Sequence, residues 1–418
     1  MELNTYQIAK EAFAEYGVDT ELAISVAEKT PISLHCWQGD DVKGLENNLS
    51  APGSGCLATG NYPWKARNLE ELLQDLDECA KLIPGALKVN LHANYASDNN
   101  DKVDRSELTA KHFRSWTNWA KSKNWGIDFN PTFFAHPMAT DGFTLSSNKE
   151  SIRSYWIKHA KASRKIAADI AKELGQPATN NIWIPDAYKD VPADRFKPRE
   201  ILKDSLEKIF ADPIDKNWCK DFLESKLFGI GVESYTVGSH EFYLGFAGSK
   251  GVGLCLDAGH FHPTESVADK VSSTLLFVPE LLLHVSRGVR WDSDHVVLLD
   301  DPTLELLHEV AVSNAMDRIY IGMDFFDASI NRLSAWVVGA RNTRKALLKG
   351  LLSPHKMLTE AEREGDYTKR MAIRENWKSL PWGFVWNEFC RRQDKPSDDK
   401  WYSEIVRHER EILSIRSQ

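Results

Sequence analysis

Short apolar runs recur along this chain, separated by longer stretches whose apolar residues fall three and four apart. The runs SLHCW (33–37), LKVNLHANY (87–95), GIDFNPTFF (126–134), NIWIPDA (181–187), SKLFGIG (225–231), GLCLDAGH (253–260), LLLHVSR (281–287) and RIYIGMDFF (318–326) read as strands. Between them, segments such as 68–83 and 149–174 carry helical spacing with abundant Lys, Glu and Ala. Strands alternating with helices predict parallel pairing, and eight such units predict an α/β fold of the (β/α)8 TIM barrel type. The N-terminal stretch MELNTYQIAKEAFAEYG reads as an amphipathic helix. Residues 41–63, rich in Gly, Asn, Ser and Pro, read as a long loop after the first strand, of the kind that usually carries function. Beyond about 330 the pattern is helical to the end. The expected division is therefore a barrel with its N-terminal helix over 1–330 and a C-terminal helical extension over 331–418, packed on the barrel or on a neighbouring subunit.

Composition narrows the class. At 418 residues and 42% hydrophobic, the chain can bury a large core as one barrel. A net charge of −8 argues against a nucleic-acid partner, which would call for a clustered basic surface. The N-terminus lacks the basic start and apolar run of a secretory signal, and no run of 18 apolar residues suggests a membrane span. Six scattered cysteines (36, 56, 79, 219, 255, 390) without a CxxC read as reduced, mostly buried thiols of a cytoplasmic protein. There is no internal repeat. GIGVES and GVGLC lack the helix and acidic residue that follow a dinucleotide loop.

The informative polar residues sit at strand ends, where parallel barrels keep their chemistry. Glu224 and Lys226 stand two apart at the expected start of strand five, Asp257 ends GLCL, His260 follows it, His284 follows three leucines, and Asp324 follows RIYIGM. In LLLHVSRGVRWDSDHVVLL (281–299), Asp292 and Asp294 face one way if the chain there is extended. Alternation puts Tyr320, Gly322 and Asp324 on one face of strand eight, and Cys255 with Asp257 on the inner face of strand six. Two carboxylates about 4 Å apart repel by roughly 4 kcal/mol at an effective dielectric near 20. Several converging acids are therefore protonated, paired with Lys or Arg, or joined by a divalent metal. An oxygen-rich shell with imidazole suits Mn²⁺, Zn²⁺, Co²⁺ or Mg²⁺. Taken singly, each acid is equally what a helix N-cap or an ion pair uses, and each histidine what a hydrogen-bonded core position uses. The coincidence across four consecutive strand ends favours two metal sites at the barrel mouth. His35, Trp37, His92, Asn130 and Trp183, on earlier strands, suit a sugar pocket in which aromatic faces stack and polar groups hold hydroxyls. Core packing is the alternative for the two tryptophans.

The motifs HCWQGDDV (35–42), TGNYP (59–63), NLHANY (90–95), WIPD (183–186), ESKLFGIGVESYTVGS (224–239), CLDAGHFHPTE (255–265), LLLHVSRGVRWDSDHVV (281–297) and DFFDASINR (324–332) together resemble the L-rhamnose isomerase family over nearly the whole chain. The resemblance implies a (β/α)8 barrel with two divalent cations per subunit, usually Mn²⁺, in a homotetramer that interconverts L-rhamnose and L-rhamnulose. By motif it implies a structural cation on Glu224, Asp257, His284 and Asp324, and a catalytic cation on His260, Asp292 and Asp294. It also implies a metal-assisted 1,2-hydride shift, the first step of rhamnose breakdown. Lys226 is the candidate for polarising the carbonyl oxygen, and Asp294 acts at the catalytic cation. Trp37, His92 and Trp183 are the candidate substrate contacts. One departure is Trp64 in GNYPWKARN, where the family leads one to expect glycine. The rivals are isomerisation of another aldose at the same site, enediolate chemistry of the aldolase type, a metallohydrolase, and a sugar-binding barrel without turnover. The lack of a basic cluster around WDSD counts against the hydrolase.

Overall fold

Ile32–His35 (β1), Leu87–His92 (β2), Gly126–Asn130 (β3), Ala178–Ile182 (β4), Cys219–Glu224 (β5), Gly253–Asp257 (β6), Leu281–Val285 (β7) and Ile319–Met323 (β8) pair in chain order, all parallel, and β8 returns to β1. The molecule is thus a closed (β/α)8 barrel. The computed structural model describes residues 5–46, 58–231, 233–289 and 294–416.

Five of the eight strands fall within the expected runs, β1 begins one residue ahead of its run, and two lie clearly earlier than expected. The fourth spans 178–182 instead of 181–187, and the fifth 219–224 instead of 225–231. Both misplacements have one cause: polar residues inside these strands are satisfied by neighbours, which hides the strand from an apolar count. Asn180 donates to Asp221 at 2.9 Å, Asp221 pairs with Arg164 at 2.9 Å, and Lys220 pairs with Glu280 at 2.7 Å. Glu224 is consequently the last residue of β5, not its first, and Lys226 lies beyond the strand.

Side chains on a strand alternate between faces. Phe222, Cys255, Leu282 and Tyr320 form one interior layer of the barrel. Two residues further along come Glu224, Asp257, His284 and Gly322, with Asp324 next on that last face. The register sets Glu224 beside Cys255, Asp257 beside His284 and His284 beside Gly322. Ile319, Ile321 and Met323 face outward into the main core, as the alternation requires.

Outside the strands, the expected helices are present as Leu69–Leu82, capped by Asn68, and Glu150–Leu174, closed by Gly175 at φ 69°. Helix Arg332–Leu351 follows β8 and packs on the barrel, its Trp336 indole donating to the His35 carbonyl at 2.9 Å. Helices His355–Arg363, Tyr367–Lys378, Trp382–Arg392 and Lys400–Glu411 complete the C-terminal part. Phe13 and Ile24 of the N-terminal helices join Leu348, Trp377, Trp386 and Phe389 in a second core on the outside of the barrel. Five cysteines are free and buried; Cys56 lies outside the described residues. Among the described residues, no helix is long and apolar enough to cross a membrane.

Asp186, just past β4, pins the loop after β3. It accepts from the Thr144 and Ser146 backbone amides at 2.9 and 2.8 Å and from their hydroxyls at 2.5 and 2.6 Å. Burial pushes its carboxyl above the ordinary range, and these four bonds oppose that rise. Asp186→Ala strands four donors, so we expect it to lower unfolding free energy by about 3 kcal/mol or more. Denaturant midpoints should show Asp186→Asn, which keeps one acceptor oxygen, losing less.

Candidate metal centre and sugar pocket

Strands β5 to β8 end at one side of the barrel mouth, and their last inward residues converge. Glu224, Asp257, His284 and Asp324 bring one ligand atom each to within 4.8 Å of one another, and Asp257, His260 and Asp294 do the same. Asp257 belongs to both groups. His284 Nδ1 lies 3.1 Å from Glu224 Oε2, 3.2 Å from Asp324 Oδ2 and 3.7 Å from Asp257 Oδ2. His260 Nδ1 lies 2.9 Å from Glu224 Oε1, and its Nε2 3.9 Å from Asp294 Oδ1.

Two glycines make this crowding possible. A Cβ on Gly259 would come within 2.7 Å of Asp294 Oδ1 and 3.2 Å of Asp257 Oδ1. A Cβ on Gly322 would press on the His284 ring at 3.3 Å. Polar neighbours orient the acids: Asp257 Oδ1 accepts from the Gly259 amide at 2.6 Å and from Ser286 Oγ at 3.3 Å. Trp37 Nε1 donates to Asp324 Oδ1 at 3.1 Å, and Asn181 donates to Glu224.

The donor set fits hard divalent cations. Asp257 Oδ2 and His284 Nε2 are buried without a hydrogen-bond partner, a costly arrangement unless something charged lies among them. Burial, with Glu224 and Asp324 adding to it, pushes the Asp257 carboxyl up to about 7. Burial alone would raise Glu224 and lower His284, yet the two hold each other charged. Glu224 sits well below the usual carboxylate range and His284 well above the usual imidazole range. A proton on the imidazole thus supplies the positive charge that a cation would supply in its place. Cys255 also approaches Glu224 and His284, but burial pushes its thiol up. A protonated thiol leaves the oxygen and imidazole groups as the better ligands for a hard ion.

Seven sequence candidates were assigned to metal. Six of them meet here, and Asp292 lies outside the described residues. Asp294 has φ 31°, so the chain is not extended at that position, and the expected common facing of 292 and 294 does not follow from strand geometry. The candidate substrate residues Trp37, His92 and Trp183 line the same cavity, together with Asn130, Lys226, Glu224, His260, His284, Asp294 and Asp324. The Trp37 and His92 rings meet edge to face at 4.6 Å, and His92 Nδ1 lies 3.2 Å from Thr132 Oγ1. The Lys226 ammonium sits 4.9 Å over the Trp183 ring. His35 is not part of this wall; its Nε2 turns to the Phe325 backbone carbonyl.

Sequence reasoning missed Val42, Phe134, Asn181 and Phe326, which also line the cavity. Of these four, only Asn181 is polar, and it opens the expected run NIWIPDA. A larger cavity of about 540 Å³ lies outside the barrel, between helices Val267–Leu275, Asp301–Val312 and Tyr367–Lys378. Among the described residues, no group of three ligand-type side chains converges there. Trp64, where the family led us to expect glycine, has φ 66°, a left-handed conformation that favours glycine.

The family model of L-rhamnose isomerase (RhaA) matches residues 1–416. The chain is 51% identical over 411 residues to the L-rhamnose isomerase of Klebsiella pneumoniae, covering 98% of each chain. It is 52% identical over 412 residues to that of Salmonella gallinarum, covering 99% of this chain and 98% of the relative. Among solved structures it is similar to an L-ribulose 3-epimerase, with a TM-score of 0.43, 14% identity, and coverage of 72% of this chain and 96% of that one. Matched along almost its entire length, the chain belongs to the L-rhamnose isomerase family.

Proposed function

We propose that this protein interconverts L-rhamnose and L-rhamnulose by a metal-assisted 1,2-hydride shift. The observation that carries the reading is the convergence of buried carboxylates and imidazoles into two groups that share Asp257, beside an aromatic-walled cavity. The names of the relatives point to the same sugar. Glu224, Asp257, His284 and Asp324 are assigned to one cation, and His260, Asp292 and Asp294 to the other, with Asp257 poised between them. When bound there, the two cations supply Lewis acidity to adjacent sugar oxygens.

The chain's own residues do the rest. Trp183, Phe134 and Trp37 wall the cavity, offer apolar faces to the sugar and exclude water during transfer. His92 and Asn130 line the cavity and are assigned to hold sugar hydroxyls. Lys226 carries positive charge toward the carbonyl oxygen, on which negative charge grows as hydrogen leaves C2 with its electron pair for C1. The hydroxyl proton passes from O2 to O1, so the reaction balances without an outside redox partner. An enediolate route would need a separate general base beside the transferred hydrogen. Among the described residues, every carboxylate lining the cavity already belongs to a ligand group, which favours the hydride shift.

We also take the enzyme to be a cytoplasmic homotetramer that works with Mn²⁺, with the 331–418 region contributing subunit contacts beyond the 1–330 barrel. The buried, unpaired cysteines support a reducing compartment. Exposed Tyr367, Met371 and Tyr402 on the outer helices support contacts there.

Chelation should abolish turnover of L-rhamnose, and return of Mn²⁺, Co²⁺, Zn²⁺ or Mg²⁺ one at a time should restore it to different extents; full activity in metal-free protein would overturn the assignment. Isomerisation in deuterated water should leave C1 and C2 without deuterium, whereas incorporation would establish the enediolate route. Lys226→Met should lower kcat by about 10²-fold or more with bound metal unchanged, as steady-state kinetics alongside metal analysis would show.

A further inference from the structure

Among the described residues, the last helix, Lys400–Glu411, reaches the loops at the barrel mouth through one carboxylate. Glu409 Oε2 accepts from the Tyr62 hydroxyl at 2.5 Å and from Asn331 Nδ2 at 2.8 Å. Tyr62 belongs to the segment 58–63, which is laced to the loop after β8. The Ala328 amide donates to the Thr59 carbonyl at 3.1 Å, and the Tyr62 amide to the Ala328 carbonyl at 2.8 Å. Asn331 caps helix Arg332–Leu351 through its other atom, Oδ1, which accepts from the Leu333 and Ser334 amides.

Between Tyr62 and Asn331 stands Arg332, almost fully buried. Its guanidinium donates to the carbonyls of Tyr62 and Pro63 and forks the Asp41 carboxylate at 3.0–3.1 Å. Asp41 and Val42 have φ of 61° and 62°, a region that side-chain-bearing residues, and β-branched ones above all, rarely adopt. Such a conformation persists only where its surroundings over-determine it. Here they are the Arg332 fork, the Val42 amide on the Trp37 carbonyl at 3.0 Å and the Gly44 amide on Asp40 at 2.8 Å. Val42 lines the sugar cavity.

We propose that Glu409 is a positioning residue for the sugar pocket: by holding Tyr62 and Asn331 on either side of Arg332, it keeps the Asp41–Val42 wall in its strained, pocket-forming shape. The C-terminal helix thereby takes part in substrate binding without touching substrate. This rests on the L-rhamnose reading above. Both bonds end on one oxygen, so glutamine can keep the arrangement and alanine cannot.

The test uses the full-length, metal-loaded enzyme with L-rhamnose. Glu409→Ala is expected to raise KM about tenfold with kcat within about twofold, the pattern of lost binding as opposed to lost chemistry. Glu409→Gln should stay within about twofold of wild type in both, and metal content should be unchanged in each. Tyr62→Phe removes only the hydroxyl and should raise KM in the same direction, which keeps the test open if Glu409→Ala does not fold. An unchanged KM in a folded Glu409→Ala or Tyr62→Phe enzyme overturns the proposal. So does a fall in kcat and metal content together, which marks a general structural role. Failure of wild type itself to convert L-rhamnose overturns the underlying reading instead, and this proposal with it.

Discussion

Like charges held close together at the end of a parallel barrel are the constraint around which the rest of this molecule is arranged. Glu224, Asp257 and Asp294 are buried, and Asp324 nearly so, within one cluster that two imidazoles share. At roughly 4 kcal/mol of repulsion per close pair at an effective dielectric near 20, such a cluster exists only with positive charge inside it. In the protein alone, His284, held well above the usual imidazole range, supplies that charge, and burial, which raises the Asp257 carboxyl, lessens the negative charge opposing it. Divalent cations satisfy the same need with more charge and a fixed geometry.

The strands make the crowding unavoidable. Parallel register sets Asp257 level with His284 and His284 level with Gly322, so residues far apart in sequence end at the same height. The layer beneath, Phe222, Cys255, Leu282 and Tyr320, is a dry floor that keeps water from screening the charges from below. Gly259 and Gly322 remove the two side chains that would otherwise hold the ligands apart. The cavity is also lined by aromatic rings, where Trp37, His92, Phe134 and Trp183 meet edge to face. The cavity therefore combines buried charge with ring faces that exclude water.

The parts farthest from the chemistry are tied to it through buried polar groups. Asp186 binds the loop after β3 to the end of β4, which leads into the wall bearing Trp183. Arg332 joins the two ends of the first loop, Asp41 and Tyr62, and Glu409 joins Tyr62 to the last helix. A side-chain hydrogen bond of this kind contributes little net stability, but its loss leaves a buried group unsatisfied, so each link is stiff in both directions.

Much of this could be read from the chain. The alternation in GLCLD, LLLHV and RIYIGMD predicts which residues face inward, because a strand with a period of two leaves no choice once its apolar face is buried. The strand-end positions of Asp257, His284 and Asp324 follow from it, and the pairing of these strands brings them together. The long motifs around 224–239, 255–265 and 281–297 identify the family, as the relatives bear out. Local pattern could not locate β4 and β5, whose Asn180, Lys220 and Asp221 look like surface residues until Arg164 and Glu280 are seen beside them. Nor could it reveal Asn181 on Glu224, or the route from Glu409 through Tyr62 and Arg332 to Val42, a span of more than 360 residues. The chain by itself determined the barrel, its inward faces and the acids at its mouth, since these depend on periodicity and on residue type at strand ends. Only the tertiary structure decided which polar groups satisfy one another across distant segments, because a hydrogen bond depends on where its partner stands in space and leaves no spacing in sequence by which to find it.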